Sequence, residues 1–354
     1  MKLSIHFSPS MHFSAMHEGW EAAANYVVEA ERLGVDMAWT YESWGYDAAT
    51  PLGYLAAKTS RMRLGSGIMQ VGTRTPALTA MTAMTLAALS GDRFVLGLGV
   101  SGPQVIEGWH GISFARSLQR LRETIDIVRK ATRGERLIYQ GEIYQLPLPG
   151  GEGKALVTGA QPCPNLPIYL ATLGPKSLEL TGELADGWLG TSFMPEHASI
   201  FFEPIARGAS RAGRSLSDLD LQVSAGAVAF SDDVERLIAP HKPGLAFTLG
   251  AMGSRQHNFY NAAFRRAGFE DVASEVQDLW LKGQREAAAK RVPDELVLKT
   301  NLIGTENMVR ERLLVYRDAG VTGLLVTPEG ATLQEQVTTL ARLQELVKEV
   351  DAEK

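Results

Sequence analysis

The stretch RFVLGLGVSGPQVIEGWHG, residues 93–111, carries the clearest signal in the sequence. It begins as a short apolar strand, Phe94 to Leu98, and continues into a loop with glycines on both sides of Ser101. Glycine lets the main chain approach a ligand closely, and successive N–H groups in such a loop can form a concave anion site. A strand, such a loop and a helix in this order are typical of phosphate sites in α/β proteins. The stretch therefore suggests an enzyme that holds a phosphorylated cofactor, the alternative being a loop that only turns the chain.

Short apolar runs alternate with helical patterns on both sides of this stretch. The runs that predict strands are Leu3–Phe7, Met37–Thr40, Met62–Gln70, Phe94–Leu98, Ile168–Ala171, Gly187–Gly190, Leu221–Phe230 and Gly323–Thr327. Two joints, residues 31–39 and 317–325, repeat the order helix, glycine, two residues, strand. Strands that alternate with helices in this number favour a closed (β/α)₈ TIM barrel. An open doubly wound sheet stays possible, although no G-x-G-x-x-G opens a helix after the first strand.

Two regions interrupt this alternation. Residues 139–165 are rich in Gly and Pro and lack a helical period, which allows a hairpin around Gly141. Residues 234–297 are mostly helical in pattern but too long for a simple crossover, which predicts a lid or an insertion. We therefore expect residues 1–354 to form a single barrel domain with insertions around 139–165 and 234–297.

Composition and charge narrow the function classes. The chain of 354 residues is 45% hydrophobic and carries a net charge of −5 without a long basic run, so nucleic acid is not an expected partner. No apolar run approaches the ~20 residues of a membrane span, and residues 1–10 turn polar too early for a secretory signal. These features predict a cytoplasmic protein that works without a membrane. The single cysteine and seven histidines show no metal-ligand spacing, so we predict no metal site.

The loops after the strands form the working face of a barrel and supply the candidate residues. Glu42 follows the second strand directly, and His110 ends the glycine-rich loop; either could exchange a proton with a substrate, or serve only in packing. Lys176 and the first N–H groups of a helix after the fifth strand could hold a second anion. The small residues around Gly65 and Gly67 leave room for a flat ring system.

Apolar side chains near the predicted mouth suggest an apolar or aromatic substrate, although they could equally pack loops. They are Met11, Phe13, Trp44, Trp109 and Phe193.

The segment LGSGIMQVGTRTPALTAMTAMTLAALSGDRFVLGLGVSGPQVIEGWHG, residues 64–111, resembles the bacterial luciferase-like flavin superfamily. Within it, the sequence is most similar to the oxidoreductases that use coenzyme F420, a deazaflavin. The resemblance spans nearly the whole chain and is weakest in the two interruptions. It implies a luciferase-like TIM barrel with insertions and a homodimer.

The resemblance also implies particular roles for residues. It places the cofactor ring over a non-prolyl cis peptide between Gly67 and Ile68, with Glu42 near the deazaflavin and Gln70 near its polar edge. It implies that the cofactor phosphate contacts Val100, Ser101, Gln104, Leu173, Gly174, Lys176 and Ser177. Departures from the sugar-phosphate dehydrogenases of this family are Ser43 in place of a histidine and Gly102 in place of a glutamate. A phosphorylated sugar is therefore a poor candidate for the substrate.

These observations lead to one functional hypothesis with two alternatives. We expect an oxidoreductase that transfers a hydride between coenzyme F420 and an apolar organic small molecule, with Glu42 or His110 exchanging the accompanying proton. The first alternative is an FMN-dependent monooxygenase that takes reduced flavin from a partner reductase. The second is a binding protein that keeps the barrel without the chemistry.

Overall fold

Eight parallel strands form a closed barrel, which confirms the predicted fold. The structure is a computed structural model that describes residues 1–9, 16–253 and 258–353. The barrel strands are β1 (Lys2–His6), β2 (Met37–Thr40), β3 (Arg63–Ser66), β4 (Phe94–Gly99), β5 (Ile168–Ala171), β6 (Gly187–Gly190), β7 (Asp220–Phe230) and β8 (Gly323–Pro328). Each strand pairs with the next one along the chain, and β8 pairs with β1 to close the ring.

Helices cover the outside of the barrel. They are α1 (Met16–Leu33), α2 (Ala49–Lys58), α3 (Pro76–Ser90), α4 (Ser117–Thr132), α5 (Pro175–Leu184), α6 (Ser199–Arg211), α7 (Glu306–Asp318) and α8 (Leu333–Ala352). The repeated joint contains Gly34 after α1 and Gly320 after α7, whose φ angles are 89° and 87°. This left-handed conformation favours glycine, and it turns each helix back toward the following strand.

The third predicted strand is divided rather than continuous. The structure has β3 up to Ser66, a cis peptide between Gly67 and Ile68, and a short strand, Met69–Gln70, that pairs with β4. The cis geometry implied by the resemblance is therefore present. The predicted run Met62–Gln70 was correct in place but wrong in continuity, because the chain turns at this bond.

Smaller elements complete the chain. Strands Tyr139–Gln140 and Gln145–Leu146 form the antiparallel hairpin around Gly141. Strand Leu302–Gly304, which the sequence pattern did not reveal, pairs with the end of β7. Single turns of helix lie at Pro103–Ile106, Pro195–His197 and Leu216–Asp218.

The region after β7 is helical, as its pattern predicts. Its elements are Val234–Ile238, Ala239–His241, Lys242–Ala251, Phe259–Phe264, Arg265–Phe269, Glu270–Leu281, Arg285–Arg291 and Asp294–Thr300. These helices, called the insertion below, bury Leu249, Phe264 and Val276 in a small core. That core also includes Met194 and Ala227 from the barrel side, so the insertion packs against the ends of β6 and β7.

Charged groups close the barrel at the N-terminal ends of its strands. Arg63, the first residue of β3, pairs with Asp36 just before β2 and with Asp220 at the start of β7, its Nη2 lying 3.3 Å from Asp220 Oδ2. The Tyr169 hydroxyl donates to Asp220 at 2.6 Å and accepts from Arg63 at 3.1 Å. We call these four side chains the floor network. Above it, Trp39 packs in the barrel interior so closely that a Cβ on Gly65 would lie 2.2 Å from its ring.

Candidate functional site

The predicted cofactor segments after β2, β3, β4 and β5 lie side by side at the C-terminal rim of the barrel. The Glu42 N–H donates to the Ile68 carbonyl at 3.2 Å. Gln70 pairs with Gly99 at the end of β4, and Gly99 pairs with Ala171 at the end of β5. The loops that begin at residues 100 and 172 are therefore neighbours. The fold brings the predicted segments to one continuous edge.

Glu42 is held firmly in the loop after β2. Its Oε1 lies 2.5 Å from Arg74 Nη2 and accepts the Ala48 N–H at 3.1 Å. The side chains of Glu42 and Arg74 are only 10% and 18% exposed, so water screens this ion pair weakly. The carboxylate thus has a fixed position beside the segment that contains the cis peptide.

Gln70 presents an acceptor without a partner at the same place. Its Nε2 donates to the carbonyls of Glu42 and Ser43 at 3.1 and 3.3 Å. Its Oε1 is buried and accepts no hydrogen bond from the residues that the structure describes. Because a buried polar atom without a partner is costly, this oxygen calls for a donor from a ligand.

The loop after β4 has a left-handed residue at its start and is exposed at its end. Ser101 has a φ of 59°, a left-handed conformation that is uncommon in residues other than glycine. Val100 is half-buried beside it, whereas the Gln104 side chain is exposed. His110 is exposed as well, and its imidazole forms no hydrogen bond or ion pair with a side chain in the described ranges. The structure therefore does not bring His110 and Glu42 together.

The loop after β5 leads into α5. Gly174 is the N-cap residue, and the Ser177 hydroxyl donates to its carbonyl at 2.9 Å. Lys176 is exposed and lines a groove of about 250 Å³ between α4 and α5, with Glu179 and Glu183. The Leu173 carbonyl accepts a hydrogen bond from Arg266 Nη2 at 2.6 Å. A cation from the insertion therefore reaches this loop, which the sequence did not reveal.

His6 is a second residue at the mouth that sequence reasoning missed. Leu3, Ile5 and Phe7 pack against the helices, so His6 points toward the barrel axis because strand side chains alternate. Its ring packs edge-on against Tyr41 at 5.9 Å between centroids, and its Nδ1 is buried without a partner among the described residues. Burial lowers the pKa of His6 to about 4, so the imidazole is neutral at physiological pH. Its position at the end of β1 was the available signal.

Two larger cavities open near the mouth. One of about 420 Å³ lies between the ends of β6 and β7 and the insertion, where Phe264, Leu245, Tyr260, His241 and Thr248 line it. The other, about 580 Å³, lies between β1, β8, α1 and α8, and His6 lines it. The predicted cofactor residues line neither cavity.

The apolar residues predicted at the mouth differ in their surroundings. Trp44 and Trp109 are exposed by 55% and 65%. Phe193 is 1% exposed because it packs within an aromatic cluster that includes Trp188, Phe201 and Phe202. It is therefore a core residue that also lines the cavity of about 420 Å³. Met11 and Phe13 lie outside the described residues.

Metal-ligand clusters and membrane-spanning helices would each indicate a particular class of site. Among residues 1–9, 16–253 and 258–353, no group of three or more His, Cys, Asp or Glu side chains is arranged to hold a metal ion. No helix in these ranges combines the length and apolar character that crossing a membrane requires.

Comparison with known proteins agrees with this architecture. The family model described as luciferase-like monooxygenase matches residues 1–323. A relative from Mycobacterium tuberculosis named "Putative coenzyme F420-dependent oxidoreductase" is 42% identical over 327 residues, which is 90% of this chain and 93% of the relative. A 5,10-methylenetetrahydromethanopterin reductase of Archaeoglobus fulgidus is 29% identical, with 97% of this chain and 98% of the relative covered.

Solved structures share the fold at lower identity. The coenzyme F420-dependent tetrahydromethanopterin reductase from Methanopyrus kandleri superposes with a TM-score of 0.79 at 22% identity, covering 98% of each chain. A Baeyer-Villiger monooxygenase component from Pseudomonas putida, in complex with FMN, gives 0.71 at 18% identity, covering 99% of this chain and 98% of that one. Likeness at such identities concerns the fold alone. Because the family model and the M. tuberculosis relative each span most of its length, the chain belongs to the luciferase-like monooxygenase family.

Proposed function

We propose that this protein is an oxidoreductase that transfers a hydride between coenzyme F420 and an uncharged organic substrate. The observation that carries the proposal is the continuous rim formed by Glu42, residues 67–70, residues 100–104 and residues 173–177. The 42% identical relative, whose name contains the same cofactor, supports this choice of cofactor over FMN.

The residues at the rim fit the ring of such a cofactor. A deazaflavin has a polar edge with an N–H donor, and the unpartnered Oε1 of Gln70 would accept it. Gly99 lies against Ile68, and a Cβ at this position would lie 3.1 Å from the Ile68 side chain. The lack of a side chain at Gly99 therefore leaves space beside the cis peptide. Gly67, Ile68 and Gln70 would therefore hold the ring.

The residues of the two adjacent loops fit its anionic side chain. The left-handed Ser101 turns the chain at the end of β4, and the first turn of α5 presents N–H groups that attract negative charge. Val100, Ser101, Gln104, Leu173, Gly174 and Ser177 would contact the phosphate, with Lys176 at the edge. When bound, the deazaflavin supplies the hydride chemistry at its C5.

Of the predicted proton carriers, Glu42 is better placed than His110. Glu42 is fixed on the rim beside the ring position, whereas His110 is exposed at the far end of its loop. We assign Glu42 the proton that accompanies hydride transfer, with Arg74 orienting its carboxylate. His110 stays a weaker candidate for the same role.

The cavity between the barrel and the insertion would receive the substrate. Its lining combines apolar and aromatic groups with several hydroxyl groups, His241 and Asn301, and in the part of the chain that the structure describes it includes no Lys, Arg, Asp or Glu. An uncharged molecule that carries a hydroxyl or carbonyl group suits this lining. The apolar substrate expected from the sequence stays a prediction.

Side-by-side fluorescence titration with coenzyme F420 and with FMN tests the cofactor. We expect saturable F420 binding and FMN binding that is at least tenfold weaker. Reduction of bound F420 by a panel of small alcohols, or oxidation of reduced F420 by the matching ketones, then tests the reaction. Tight FMN binding without F420 binding would support the monooxygenase alternative instead. F420 binding without turnover of any compound would favour a binding protein.

A homodimer and a cytoplasmic location also remain proposals. The outer face of α3 exposes Leu78, Met81 and Leu89, by 45%, 61% and 60%, and these apolar groups could meet a second copy. Light scattering on the wild type and on Met81→Glu would test this interface. A wild-type monomer would contradict it.

A further inference from the structure

Arg266 is the feature of the mouth that the proposed function leaves unexplained. It lies just before a kink between two helices of the insertion, where Ala267 and Gly268 leave the helical conformation and Gly268 has a φ of 85°. At this kink, Arg266 extends from the insertion and contacts the loop after β5, which lies more than ninety residues earlier in the chain.

The contact made by Arg266 uses only part of its donor capacity. One Nη2 donates to the Leu173 carbonyl at 2.6 Å. Arginine has five N–H donors in a fork that matches phosphate and carboxylate oxygens. No carboxylate of the described residues forms an ion pair with Arg266, and its side chain is exposed. The Leu173 carbonyl oxygen carries no formal charge, so it does not neutralise the positive charge of Arg266.

Arg122, which lines the groove beside Lys176, differs from Arg266 because a carboxylate neutralises it. Arg122 pairs with both oxygens of Glu183, and this hydrogen bonding raises the pKa of Arg122. Burial lowers the pKa of Arg266, and no neighbouring carboxylate opposes the effect. The guanidinium of Arg266 therefore keeps free N–H donors beside the barrel rim, in the fork geometry that binds an anion.

The position of Arg266 indicates which anion completes it. Leu173 belongs to the loop after β5, and the register of Gly99 with Ala171 sets this loop beside the one that contains Ser101. Resting on the proposed function, we propose that Arg266 binds the anionic side chain of the deazaflavin cofactor, its phosphate or the carboxylates beyond it. The insertion then contributes to cofactor affinity as well as to the substrate cavity.

Titration with two cofactor forms tests the proposal on the full-length protein. The probes are coenzyme F420 and the deazaflavin alcohol that lacks the phosphate and everything beyond it. We expect Arg266→Gln to bind F420 about tenfold more weakly at low salt, which corresponds to one charge-assisted contact. Binding of the phosphate-free alcohol should stay within about twofold of wild type. Arg266→Lys should recover part of the F420 affinity because it keeps the charge.

The matched control is Arg133→Gln, since Arg133 ends α4 at the opposite end of the barrel and its side chain is 57% exposed. This variant should bind both probes like the wild type. Unchanged F420 affinity in Arg266→Gln would overturn the inference, as would equal losses for both probes or no recovery in a folded Arg266→Lys. Failure of the wild type to bind F420 would instead overturn the proposed function, and wild-type titration alone reveals it.

Discussion

The polar groups at the two ends of the barrel differ in whether they have hydrogen-bond or ion-pair partners. At the floor, Arg63, Asp36, Asp220 and Tyr169 satisfy one another across β2, β3, β5 and β7. At the mouth, His6 Nδ1 and Gln70 Oε1 are buried without partners in the described ranges, and Arg266 has no carboxylate. The floor groups have partners among themselves, whereas these groups at the mouth keep donors and acceptors that a ligand could use. Barrel enzymes place stability and activity at these opposite ends.

The floor network also shows how hydrogen-bond and ion-pair partners change the pKa of a buried carboxylate. Burial alone would raise the pKa of Asp220, but hydrogen bonds from Thr322 and Tyr169 and the charge of Arg63 outweigh it. The pKa of Asp220 therefore lies below its ordinary value. His6 has no such compensation, and burial alone sets its pKa. The difference between the two groups is the number of partners, since both are removed from water.

The largest expected effect is a loss of cofactor affinity from a substitution at the mouth. The stability that the floor network provides should not change. Ser101→Asp places a carboxylate where the phosphate is proposed to bind, and like charges in contact cost several kcal/mol. We expect F420 affinity to fall about a thousandfold in a fluorescence titration, with the urea unfolding curve unchanged. Aspartate tolerates the φ of 59° at this position, so the fold should persist.

Ser101→Asn is the control for that experiment, because asparagine has the same shape without the charge. It should bind F420 within about tenfold of wild type. If the aspartate variant retains wild-type affinity, the phosphate does not lie at Ser101, and the contrast between the two ends loses its main support.

The reverse experiment breaks the floor and spares the mouth. Arg63→Gln leaves Asp220 without a cation and leaves Asp36 with only Lys2, whose Nζ lies 3.7 Å from Asp36 Oδ1 and whose side chain is 58% exposed. The side chains of Arg63, Asp36 and Asp220 are 19% to 26% exposed, so we expect a loss of about 3 kcal/mol in unfolding free energy, at the low end for a broken buried pair. Urea denaturation measures the loss, and F420 titration of the folded variant should match the wild type. A variant that unfolds like the wild type would show that the floor network contributes little.

A smaller effect is expected from the cost of burying His6. Its pKa is about 4 in the folded chain and near its ordinary 6.5 when unfolded, so between these values the unfolded state binds more protons. Stability is therefore fully present above pH 6.5 and falls as the pH approaches 4. When the pH is lowered from 7.5 to 4.5, we expect the unfolding free energy of His6→Phe to fall by about 2 kcal/mol less than that of the wild type.

Denaturation curves at the two pH values measure that difference. Any other group that titrates in this range is present in both proteins, so only the His6 contribution separates them. Parallel losses in wild type and variant would mean that His6 is not buried as a neutral imidazole, and the mouth would then resemble the floor.

The sequence predicted the eight strands because apolar runs and glycine joints are local signals. It did not predict the floor network, since Asp36, Arg63 and Asp220 each look like ordinary surface charges until the barrel closes. The position of each at the start of a strand was a usable signal. Likewise, Glu42 and the loops beginning at Val100 and Leu173 follow strands directly, so they could be predicted as rim residues. Arg266 could not, because its place depends on how the insertion packs.

Lys176 gives the smallest expected effect and separates the local prediction from the structural one. By sequence it is the obvious cation of the loop after β5, but its side chain lines the groove with Glu179 and Glu183. An exposed charge near carboxylates contributes little and is screened by salt. We expect Lys176→Gln to weaken F420 binding by no more than about twofold, about 0.4 kcal/mol, against tenfold for Arg266→Gln. Titrating both variants at low and high salt tests this order directly. A tenfold loss in Lys176→Gln that vanishes in high salt would return the anion contact to the first turn of α5, and Arg266 would then serve only to fix the Leu173 carbonyl.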